Sequence, residues 1–151
     1  MAATTLVHGP LQAADVLLRD VHVLDPRTKI DARHDVRVRK GEIAELGEPG
    51  TLSYEPSAGE ELIEGRGNRL VPAFFDPHVH LRTPGQEYKE DLDSGTRAAA
   101  AGGYAAVLAM PNTDPVLDSA PLLRSLRETA AREARIAVGF MPAITRGLQG
   151  E

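Results

Sequence analysis

His78 and His80 stand one residue apart in the stretch DPHVHLRTPG. In an extended chain, residues two apart point to the same side. Both imidazoles can then converge on one point, which is what a metal ion requires. The sequence contains no cysteine, so it has no disulfide framework and no thiolate site. A metal would have to be held by His, Asp or Glu. The same crowding of Asp, Pro and Arg also suits a plain loop. Arg82, two positions further on, reads by itself as a solvated or structural arginine. Asn112, in MPNTDP, reads by type as a turn residue. Asp76 and Asp114 are the acidic residues nearest the pair, and Asp76 reads as a partner that orients a histidine rather than as a ligand. Glu87, Lys89, Glu90, Asp91 and Asp93 read as a solvated helix entry. His8, His22 and His34 lack partners at ligand spacing and read as surface or structural residues.

The elements that would position these residues fall into two segments. Residues 1–69 are rich in β signals: Val21 and Val23 alternate with polar neighbours, as do Val36 and Val38, and Lys40-Gly41 marks a turn. This predicts a small domain of short, half-exposed strands. Residues 70–151 change character. Leu70 to about Asp76 reads as a buried strand. EDLDSGTRAAAAGG predicts a helix stopped by Gly102-Gly103. YAAVLAM predicts a second strand. DSAPLLRSLRETAAREA predicts a helix capped by Asp118 or Ser119, with Leu122, Leu126 and Ala130 on one face. RIAVGFM predicts a third strand. Continuous apolar strands alternating with helices point to a parallel sheet covered on both sides. In such folds active sites lie at the carboxyl ends of the strands. His78 and His80 come after the first strand and Asn112 after the second, so two polar clusters meet at that end.

Composition narrows the function classes. The chain has 151 residues and a net charge of −5, which argues against nucleic acid or an anionic membrane as the main partner. Aromatic residues make up 4% and tryptophan is absent, leaving little for stacking on bases. The N-terminus lacks the basic-then-apolar order of a signal peptide, and no apolar run approaches a bilayer span. A cytoplasmic location is the expectation.

DPHVHLRTPGQEYKEDLDSGTRAAAAGG followed by MPNTDPVLDS resembles the dihydroorotase family of the amidohydrolase superfamily. The strong similarity runs from about Val71 to Asp118, and AITRGLQGE is similar to the segment after the family's third barrel strand. The resemblance implies an α/β fold: a distorted (β/α)8 barrel with an appended small β domain, of which this chain would hold about three strands and two helices. It implies that His78 and His80 bind zinc, as one or two ions, and that Arg82 and Asn112 bind the substrate carboxylate. The implied reaction is reversible hydrolysis of dihydroorotate to carbamoyl aspartate, run towards the ring in pyrimidine synthesis. Departures from the family pattern are Ala73, Thr83, Ala105 and Ala106, which are expected to alter packing rather than chemistry.

Such a barrel takes about 250 residues. In the family the bridging acidic ligand, two further histidines and the catalytic aspartate lie on later strands. No catalytic residue is therefore expected before Glu151. The chain reads as the N-terminal part of an enzyme, inactive alone and weak in zinc binding, with the third strand left as an apolar edge. A homodimer is the expected assembly. Allantoinases and hydantoinases share the histidine pair and the Ala/Gly-rich helix and supply one alternative. A non-catalytic dihydroorotase-like subunit associated with aspartate transcarbamoylase supplies another.

Overall fold

The computed structural model describes residues 6–10 and 14–150. The chain forms two compact units: Gln12–Pro72, and Ala73–Glu151 together with Met1–Leu11. The expected split after residue 69 thus falls at Pro72, and the N-terminal segment joins the second unit.

The unit Gln12–Pro72 is a five-stranded sheet. Strands β1 (Val16–Asp25), β2 (Ile30–Arg39) and β3 (Glu42–Gly47) form an antiparallel meander, and β4 (Glu61–Glu64) and β5 (Arg69–Leu70) both pair parallel to β1. The alternating valines make the strands: Val21, Val23 and Val36 are buried together, with Leu18, Ile30 and Leu70 against them. The β1–β2 register shifts between Leu18 and Val21, and Asp20 sits in that irregularity at φ 57°. Polar groups are unusually deep here. The Asp35 carboxylate, fully buried, accepts from the backbone N–H groups of Asp20 (2.9 Å), Gly50 (2.8 Å) and Leu52 (3.1 Å). Arg37, also buried, donates from Nε to Glu60 (2.8 Å), from Nη1 to Glu45 (2.9 Å), and from Nη2 to the Ser53 carbonyl.

The other unit contains β6 (Phe74–Val79), α1 (Leu92–Ala101), β7 (Tyr104–Ala109), α2 (Ala120–Glu133) and β8 (Ala137–Phe140). The three strands pair in parallel in the order β6-β7-β8. The expected strand over Leu70–Asp76 is divided: Leu70 pairs in the first sheet as part of β5, and β6 begins at Phe74. Asp91 caps α1 by accepting from Ser94 N–H at 2.7 Å, and Ser94 Oγ returns the bond to Asp91 N–H in a capping box. Ala101 is the last residue of α1, and Gly103 then takes φ 83°, a conformation open to glycine. Ser119 precedes α2 without a side-chain cap bond, and Pro121 lies in its first turn.

Strand order follows chain order, and both helices pack on one face of the sheet. Leu92, Leu126 and Ala130 from the helices pack there against Val107, Ala109, Val138 and Phe140 in one core. Residues alternate with these on the strands and face the other way, so Phe74, His78 and His80 are exposed and Asp76 is half-buried. Within this unit the helices cover one face of the sheet, not the two that the continuous apolar strands imply. Thr96, fully buried in α1, accepts from Arg135 N–H at 3.0 Å and ties the helix to the turn before β8. The outer edge of β8 is not bare as expected. Val7 bridges Val138 antiparallel, with Val7 N–H to Val138 O at 2.8 Å and Val138 N–H to Val7 O at 2.7 Å.

Candidate active site

Parallel pairing aligns the carboxyl ends of the strands. Val79 is in register with Ala109. Met110 N–H donates to Val79 O at 2.9 Å, and Met141 N–H donates to Ala109 O at 2.9 Å. His78 lies inside β6 and His80 directly after it, whereas the sequence reading places both after the strand. Both face away from the helices. Their ring centroids are 5.2 Å apart, with the ring planes inclined at 67°. Two imidazoles on one tetrahedral zinc, each about 2.1 Å from the ion, have centroids about 5 Å apart. The observed separation fits a shared ion.

The turn after β7 brings Asn112 to the same place. His80 Nδ1 and Asn112 Oδ1 are 2.7 Å apart. With the amide oxygen as acceptor, Nδ1 carries the proton and Nε2 keeps its lone pair, the tautomer a metal ligand needs. Asn112 thus touches the histidine pair directly, which its type alone did not indicate. Asp76 does not orient an imidazole: its carboxylate accepts from the His78 backbone N–H at 3.0 Å. Among the described residues, no group of three or more His, Asp or Glu is arranged to hold a metal ion. His78 and His80 are the pair available.

Arg82 follows at φ 61°, half-buried, and its carbonyl accepts from Gln86 N–H at 3.0 Å. Among the described residues its guanidinium has no hydrogen-bond or ion-pair partner, so its donors are free for an anion. Thr83 beside it has a buried hydroxyl with no partner. The other three histidines make local contacts: His8 with Gly9 O, His22 with Asp31 and His34 with Gly47 O.

A residue that sequence reasoning passed over sets the loop geometry. Gly85 has φ 89°, and a Cβ there would lie 1.9 Å from the Asp114 carbonyl oxygen. Asp114 N–H donates to Pro84 O at 3.0 Å across the same contact. The loop bearing Arg82 therefore lies directly on the loop bearing Asn112. The signal was the Pro-Gly pair of RTPG, a turn dipeptide. Gly85→Ala is expected to lower stability by at least about 2 kcal/mol, through strain and collision together, read as a fall in thermal midpoint. An unchanged midpoint would refute the packing described.

Residues 67–151 match the family described as dihydro-orotase-like. The chain belongs to this dihydro-orotase-like family. It is 39% identical over 136 residues to the dihydroorotase of Sulfurihydrogenibium sp. (strain YO3AOP1), covering 90% of this chain and 31% of that protein. It is 44% identical over 136 residues to the dihydroorotase of Syntrophotalea carbinolica, with the same coverage. The chain thus spans about a third of the length of the curated relatives it matches. In fold it is similar to L-hydantoinase (dihydropyrimidinase) from Arthrobacter aurescens, with a TM-score of 0.68 at 18% identity over 86% of this chain and 28% of that one. A D-hydantoinase gives 0.66 at 25% identity, covering 89% of this chain and 29% of that one. The dihydro-orotase-like segment begins at the end of the first unit and contains the histidine pair, Arg82 and Asn112. Among the described residues no helix is long and apolar enough to cross a membrane.

Proposed function

We propose that this chain supplies the metal-histidine and carboxylate-grip portion of a zinc-dependent dihydroorotase. The proposal rests above all on one observation: His80 is hydrogen-bonded to Asn112, so the strand-end histidine pair and the neighbouring loop's amide form one cluster. The elements around it, alternating strand and helix with a parallel register, suit the opening of a (β/α)8 barrel.

His78 and His80 would hold the ion through ring nitrogens on the exposed face of β6. Zinc bound there supplies Lewis acidity and makes water acidic enough to act as a nucleophile near neutral pH. Asn112 works at both ends of its amide. The oxygen fixes the His80 tautomer, and the NH2 remains to donate to an anion. Arg82 offers a planar fork for the carboxylate of dihydroorotate. These two donors hold the ring while water adds to its amide carbonyl carbon. The carbon–nitrogen bond then breaks, the nitrogen takes a proton, and carbamoyl aspartate results. Acid–base residues and further ligands would come from the parts of the relatives that this chain does not span.

Arg82 distinguishes dihydroorotate, which carries a carboxylate, from the uncharged hydantoin ring. In a full-length dihydroorotase carrying this segment, Arg82→Ala is expected to lower kcat/KM for dihydroorotate about 100-fold, in line with one lost charge-assisted bidentate contact. It should leave turnover of unsubstituted dihydrouracil within a few-fold. Equal loss on both substrates, or no loss on dihydroorotate, would overturn the assignment.

A further inference from the structure

We propose that the sheet face around His22, in the unit Gln12–Pro72, is a binding site for diphosphate-type anions. His22 on β1 is in register with Arg33 on β2 and with Arg69 on β5. Directly opposed residues share a sheet face, so Arg33, His22 and Arg69 form a row across three strands. They line a cleft of about 440 Å³, joined by Asp20, Arg66 and Asn68. Three guanidiniums therefore share the cleft with a single lining carboxylate.

That carboxylate is spent on positioning. Asp20 is buried, fixed at the bulge of β1, and its backbone N–H is held by Asp35. It accepts from Arg33 Nε at 2.7 Å and from Arg33 Nη2, and Arg66 Nε lies 3.4 Å from it. His22 is engaged through Nε2 by Asp31 at 2.5 Å. Among the described residues, Arg69 has no hydrogen-bond or ion-pair partner. Arg33 is satisfied by Asp20 and His22 by Asp31, which leaves Arg69, and Arg66 at 3.4 Å from Asp20, to meet an anion in the cleft. Guanidinium forks match the paired oxygens of phosphate, and the Asn68 amide adds a neutral donor. Arg33, Arg66 and Arg69 come from β2, the turn before β5 and β5, a spread over three elements that suits two linked phosphoryl groups.

The test titrates the chain with inorganic pyrophosphate at constant ionic strength, followed by calorimetry and by backbone amide shifts. Saturable binding is expected, with shifts at Gly67 and Asn68. Arg69→Ala and Arg66→Gln, both on exposed side chains, should each weaken it about ten-fold. Arg124→Ala, on the surface of α2, should leave it unchanged. Absence of saturation, or equal weakening by Arg124→Ala, would overturn the proposal, as would unchanged affinity in both cleft variants.

Discussion

His80→Ala, in a full-length dihydroorotase carrying this segment, is expected to lower kcat/KM by about a thousand-fold or more, since a catalytic metal supplies several kcal/mol to the transition state. Zinc content after dialysis should fall with it. Two ring nitrogens are all that the described part of this chain brings to an ion, so losing one removes half its contribution. Asn112→Ala should act through the same histidine but more mildly. Removing the group that holds Nδ1 costs about 10- to 100-fold in metal affinity, as outer partners of histidine ligands generally do. Because Asn112 is also assigned to the substrate, its variant should raise KM as well, whereas His80→Ala should act on zinc content first. Full zinc occupancy and wild-type turnover in His80→Ala would remove the site from β6.

A loss of comparable consequence is expected in the unit Gln12–Pro72. Asp35→Ala should destabilise the unit Gln12–Pro72 by about 3 to 5 kcal/mol, because three backbone donors lose their buried acceptor together. Against a domain stability of roughly 5–15 kcal/mol, that is enough to leave the sheet partly unfolded. The same carboxyl predicts a pH dependence. Burial pushes its pKa up, but the N–H groups of Gly50, Asp20 and Leu52 outweigh burial and hold it below the ordinary carboxylate value. Glu60 behaves alike: burial raises it, while the Glu55 N–H and Arg37 lower it further. Both groups stay ionised in the folded chain at a pH where the unfolded chain already takes up protons. Their contribution is therefore complete above about pH 5 and is lost as pH falls through the folded values. Denaturant midpoints measured from pH 7 down to pH 3 should decline, and the decline should be shallower in Asp35→Asn. A flat profile in the parent chain would contradict the assignment.

The helices and strands of the second unit were legible because their patterns are local. The capping Asp91, the Gly102-Gly103 stop and the four-residue spacing of Leu122, Leu126 and Ala130 each act within a turn or two. The histidine pair was legible for the same reason, since side-chain direction along a strand has period two. Other features depend on distant chain. Leu70 looked continuous with the strand that follows, yet its partner is Val23, far back in sequence. Asp76 was expected to reach an imidazole, but the near backbone N–H of His78 satisfies it first. Nothing in the spelling of Asp35 or Arg37 distinguishes them from the surface charges beside them. Their burial follows from the bulge at Asp20 and from partners more than a dozen residues away, the Gly50 N–H for Asp35 and the Glu60 carboxylate for Arg37.

The bridge between Val7 and Val138 bears on how the sheet could grow. Those two hydrogen bonds use the outward-facing groups of β8 that a further parallel strand would need. A newcomer can add to this edge only by evicting Val7, so sheet extension is an exchange of partners rather than a free addition. While the incumbent stays, it also shields the strand from pairing with a second molecule.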